Sequence, residues 1–118
     1  VLYLAPFALQ AQPGYSLKAV EANPIPKQQH FDLWREVALQ QCDDAPSRHN
    51  ITRAQCASLV KERSDTCAAQ QSGSAPQLIR TTAVAKDVGR KYLQCVTPHY
   101  FCKGIEVRTE AEARAQCK

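Results

Sequence analysis

The chain has 118 residues, a net charge of +4, 44% apolar side chains, six cysteines and no methionine. That length fits one domain with a real core, close to the size at which covalent staples matter. No run approaches the ~20 apolar residues of a membrane span, and the four scattered glycines exclude a phosphate-cradling loop or a dinucleotide fingerprint.

Residues 1–26 read as an arm. Pro6, Pro13, Pro24 and Pro26 block a long helix or a central strand, leaving short helical turns near Leu2–Gln10 and Tyr15–Ala22. The opening VLYLAPFALQAQ looks like the tail of a signal peptide without its basic leader, so a processed N-terminus is expected. Val1, Leu2, Tyr3, Leu4, Phe7 and Leu9 are costly to leave in water, so they are expected to bury on the domain's own core or on a neighbour.

From Pro26, suited to a first helical turn, KQQHFDLWREVALQQC puts Phe31, Trp34, Ala38 and Cys42 on one stripe, broadened by Leu33, Val37 and Leu39. This is the expected main core helix, with Trp34 in the core and His30 exposed in the first turn. The loop DDAPSRHN, with the acidic pair Asp43-Asp44 as a solvated turn and His49 as a loop residue, returns the chain. Asn50 is a candidate cap, and Thr52-x-x-Gln55 matches a capping box for a second helix running to about Gln71 and stopping at Ser72-Gly73.

After the linker QQSGSAP, Val84, Val88, Tyr92 and Cys95 recur at helical spacing and predict a third helix over 82–95, capped by Thr81 or Thr82. Leu78–Thr82 fits either a strand or an earlier start of that helix, and Gly89 weakens the helix by about 1 kcal/mol relative to alanine. Thr97-Pro98 opens a short turn, HYFCK, closed by Gly104; Ile105-Glu106-Val107 alternates like a minimal strand; and Thr109-x-x-Glu112 is a second capping box, opening a last helix that ends at Cys117.

The cysteines organise these elements. Cys56 and Cys67 are eleven residues apart, so they share a helix face with Leu59, Val60 and the stem of Arg63, yet stand about 16 Å apart along the axis and cannot pair with each other. An antiparallel return sets Cys42 level with Cys56. An even cysteine count in a short chain without a CxxC pair indicates a disulfide framework in an oxidising compartment, and the expected bridges are Cys42–Cys56, Cys67–Cys95 and Cys102–Cys117.

Candidate chemistry is sparse. Cys95, His99 and Cys102 are spaced C-x3-H-x2-C, with Cys117 as a fourth ligand for zinc, although this is not a common zinc spacing. There is no GxSxG elbow, no cysteine outside the framework and no calcium loop, so neither an enzyme nor a cofactor is expected. Residues 1–75 carry seven basic and seven acidic side chains, whereas residues 76–118 carry eight against four, so the whole charge excess lies in the second half. Cations interleaved with Tyr92, Tyr100 and Phe101 suit base stacking, but at this net charge an acidic protein partner is the reading taken, without nucleic acid.

The expected fold is therefore all-α: a disulfide-stapled bundle of about four helices over 27–118 with a proline-broken arm over 1–26. The expected function is a non-enzymatic protein-binding module, secreted or periplasmic, acting as an inhibitor or immunity-type partner or an extracytoplasmic adaptor. Its partner-binding set is Arg80, Lys86, Arg90, Lys91, Tyr92, His99, Tyr100 and Lys103. The alternatives are an accessory subunit of a larger, membrane-associated assembly and a zinc-binding module through Cys95, His99, Cys102 and Cys117. No family is recognised. The widely spaced helical cysteines resemble helical hairpins of the mitochondrial intermembrane space, another oxidising compartment, but lack their paired C-x9-C spacing.

Overall fold

The computed structural model describes residues 17–118, so the apolar groups of residues 1–9 and the expected turn near Leu2–Gln10 lie outside the described residues. The elements run α1 (Ala19–Ala22), β1 (Ile25–Pro26), α2 (Lys27–Gln41), a 3₁₀ turn (Cys42–Asp44), α3 (Ala45–Arg48), α4 (Arg53–Ser72), β2 (Leu78–Ile79), α5 (Thr82–Val96), β3 (Tyr100–Cys102), β4 (Ile105–Val107) and α6 (Glu110–Gln116). The fold is all-α, with two minimal antiparallel ribbons, β1 with β2 and β3 with β4.

The four predicted helices are α2, α4, α5 and α6. The loop between α2 and α4 is more helical than expected, because Pro46 sits in the first turn of α3, where its missing N–H costs nothing. Thr52 and Gln55 form the predicted reciprocal box at the start of α4. Asn50 does not cap that helix: it adopts φ 58°, and its Nδ2 donates to the Phe101 carbonyl oxygen at 2.9 Å, pinning β3 to the start of α4. Thr81 caps α5 by accepting from the Val84 N–H. Thr109 caps α6 in the same way, but Glu112 reaches back to the Arg108 N–H at 2.7 Å rather than to the cap residue, so the second box is only half formed.

α2, α4 and α5 pack on one another around one core. Phe31 of α2 stacks on Tyr92 of α5 with ring centroids 5.4 Å apart, and Val60, Ile79, Ala85, Val88 and Val96 close around them. Cys56, Val60, Ser64 and Cys67 make the buried stripe of α4, and Leu59 and Arg63 lie at its half-buried margin. The Ser64 hydroxyl is satisfied inside this core by donating to the Val60 carbonyl at 2.7 Å.

The described part of the arm is tied into the same body. Val20 of α1 belongs to the core, Ile25 pairs with Ile79, and the Lys27 N–H donates to the Gln77 carbonyl at 3.0 Å. Glu21 accepts the Thr82 hydroxyl at 2.8 Å, which anchors α1 to the start of α5. Lys27 Nζ donates to the Ser72 carbonyl at 2.9 Å and joins the start of α2 to the end of α4.

The three bridges are those expected, Cys42–Cys56, Cys67–Cys95 and Cys102–Cys117, with Cα separations of 5.6, 5.7 and 5.2 Å. They join α4 to the end of α2, α4 to α5, and β3 to the end of α6. HYFCK is a strand and a turn rather than a turn alone. Lys103 (φ 54°) and Gly104 (φ 84°) form a two-residue connection with both residues left-handed, the type I′ geometry that matches hairpin twist. No helix among the described residues is long and apolar enough to cross a membrane.

Candidate functional site

α5 carries its apolar residues inward and its cations outward. Arg80, just before the helix, and Lys86, Arg90 and Lys91 along it are all exposed. Arg90 and Lys91 both bind Asp87, at 2.7 and 3.1 Å, and the Lys91 hydrogen bond above all holds the Asp87 carboxyl below the usual carboxylate range. Among the described residues Lys86 makes no ion pair, so this stretch of α5 keeps a positive balance.

Beside these cations runs an open groove of about 640 Å³. Leu17, Trp34, Ala83 and Leu93 line it as apolar groups, and Lys86, Asp87 and Arg90 form its charged edge. Trp34 packs against the core, as its spacing predicts, but is only half-buried, with its indole laid against the backbone of α5 at Gly89. Any Cβ at position 89 would overlap that ring, so the glycine is there to let α2 and α5 approach.

His30, one turn earlier on α2, is fully buried rather than exposed in the first turn. α2 turns this face toward α5, and the ring fills the contact between the two helices. Its Nε2 accepts the Trp34 indole N–H at 3.0 Å and also lies 2.9 Å from the Ala85 carbonyl oxygen. A single ring nitrogen serves only one of these partners at a time: unprotonated it accepts from Trp34, and protonated it donates to Ala85. Nδ1 is buried without a hydrogen-bond partner among the described residues. Burial pushes the ring's pKa below the ordinary histidine value, against the Ala85 bond that favours the charged form.

The rest of the expected set is dispersed. Tyr92 is corrected from surface to core: it is 1% exposed and stacked on Phe31. Its phase on α5 is that of Val88 and Val96, on the inward face. His99 is exposed past the end of α5 and borders a second depression that shares Leu93 and Gln94 with the groove. Tyr100 and Lys103 belong to the hairpin, and Arg80 borders a separate hollow with Leu78 and Val84. The structure thus brings Lys86, Arg90 and Lys91 together and links His99 to them through Leu93 and Gln94.

Sequence reasoning missed a second cluster. Arg63 of α4 grips Glu106 of β4 through both oxygens, at 2.8 and 3.1 Å, and Arg108 and the His99 N–H add bonds of 3.1 and 2.8 Å to the same carboxylate. Burial alone raises this carboxyl; the hydrogen bonds from Arg63, the His99 N–H and Arg108, with the charge of Arg63, override it and hold the group at about 2. With its two main members 43 positions apart, the pair leaves no local signal in the sequence.

The zinc reading is overturned. Cys95 is bonded to Cys67 and Cys102 to Cys117, leaving no thiolate for a metal, and among the described residues no group of His, Cys, Asp or Glu is placed to hold one. Compared with protein-family models, with curated proteins and with solved structures, the chain matches none.

Proposed function

We propose that this chain is a non-catalytic protein-binding module of an oxidising compartment, secreted or periplasmic, that meets an acidic partner through the outer face of α5. The observation that carries the reading is the cation row Lys86, Arg90 and Lys91 on a helix whose other face is locked into the core. Rim charges of this kind raise association rates and choose partners. The three disulfides are compatible with an oxidising compartment.

The test is capture of a partner from the native source, followed by association kinetics at several ionic strengths. Arg90→Glu with Lys91→Glu should slow association about tenfold or more and flatten its salt dependence while leaving the fold intact. Unchanged rates in the double variant would retire the basic face as the binding surface.

A further inference from the structure

Resting on the reading of this chain as a protein-binding module, we infer that the groove beside α5 is the anchor site, and that its occupant is an amphipathic helix of the partner with apolar anchors flanked by carboxylates. The groove follows α5 at Ala83, Lys86, Asp87, Arg90 and Leu93, positions that repeat with the helical period over about 15 Å, the length of three turns. A trough of that shape between α5 and the Trp34 indole receives a helix laid alongside, with its anchors at i, i+3 or i+4 and i+7.

The chemistry is divided in the way such a ligand requires. Leu17, Trp34, Ala83 and Leu93 give an apolar lining with a large aromatic surface, the kind of group that dominates interface energetics. Lys86, without an ion pair among the described residues, and Arg90, paired with Asp87, stand with that carboxylate on one edge, where the Lys91 bond to Asp87 leaves the balance positive. A helix with glutamates on the flank facing α5 meets both charges, whereas one with lysines there meets repulsion.

Trp34 is the only tryptophan, so its emission reports occupancy directly. The full chain is titrated with a designed peptide carrying leucine anchors at helical spacing and glutamate flanks, a scrambled peptide of the same composition, and a lysine-flanked version. The expected result is a saturable blue shift with the glutamate-flanked helix alone. Lys86→Glu and Ala83→Glu, both at exposed positions, should each weaken it about tenfold without changing the melting temperature. The inference is overturned by equal responses to all three peptides, by no response, by a peptide-free blue shift that grows with protein concentration, or by a red shift on deleting residues 1–16. The last two results would assign the groove to a second copy or to the chain's own N-terminal segment. With the captured partner, binding that survives Ala83→Glu but fails with Arg90→Glu/Lys91→Glu would remove the groove and keep the module reading. Binding indifferent to all these variants would remove both.

Discussion

At the scale of single residues the candidate site depends on an omission. Gly89 is a poor helix former in the middle of α5, and replacing it with alanine on an open helix would stabilise by about 1 kcal/mol. Here the missing Cβ is occupied by the Trp34 ring, and forcing a methyl group into a filled contact costs about 1–3 kcal/mol. The overlap involves rigid indole atoms rather than the tip of a flexible chain, so the packing loss should win. Gly89→Ala is expected to lower unfolding stability by about 1–2 kcal/mol and to shift the native Trp34 emission to the red as the ring is pushed outward. In a Trp34→Ala background the sign should reverse, because only the helix preference remains. A Gly89→Ala protein as stable as the parent, read by urea unfolding, would show that the indole has another place to go. The buried His30 gives a reason to doubt that it has, since the indole N–H points to the His30 Nε2 and α2 fixes both rings one turn apart.

At the scale of elements, the hairpin of β3 and β4 is seated on the bundle by polar contacts: Phe101 N–H to the His49 carbonyl at 2.9 Å, Asn50 to Phe101, and Arg63 to Glu106. The last of these titrates. Glu106 falls from 4.5 to about 2 on folding, so its stabilisation is fully present above pH 4.5 and is lost as pH falls toward 2. The carboxylate is 12% exposed while Arg108 is 59% exposed, so solvent screens part of the network and about 1–3 kcal/mol is expected at neutral pH. Glu106→Gln should cost that amount at pH 7 and only a small remainder near pH 2; Asp87 and Glu21, also depressed, cancel in the difference. Parallel stability curves for the two proteins between pH 5 and 2 would contradict it. The same hairpin marks the limit of what the sequence disclosed. Helices α2, α4 and α5 were legible because apolar spacing, Thr52, Thr81 and the cysteine phases are local facts. Lys103-Gly104 lacks the usual Asn-Gly signature of its turn, the burial of His30 needs Ala85 from 55 residues away, and the groove exists only where Trp34 meets Gly89.

At the scale of the whole molecule, the three staples are not equivalent, although their sequence separations of 14, 28 and 15 enter the loop entropy only logarithmically. By loop entropy alone they would contribute about 3, 3.6 and 3 kcal/mol. That reasoning assumes that the native state holds both cysteines in place without the bond. Cys67–Cys95 meets the assumption, because α4 and α5 are packed together by Val60, Val88, Tyr92 and Val96 whether or not the bond is present. Cys102–Cys117 does not. α6 has seven residues and buries none of them, and a helix that short does not persist in water without an anchor. Breaking its bridge frees the segment in the folded protein as well as in the unfolded one, so the entropy gained by the unfolded chain is largely matched. Cys67→Ala with Cys95→Ala should therefore lower unfolding stability by about 3 kcal/mol or more, and Cys102→Ala with Cys117→Ala by about 1 kcal/mol, the cost of the small void at Cys102. In the second variant amide exchange over residues 110–116 should lose its protection while α2, α4 and α5 keep theirs. Equal losses from the two deletions, or protection retained in α6, would mean that α6 is held by its contact with β4 and is as much a part of the cooperative unit as the three-helix core.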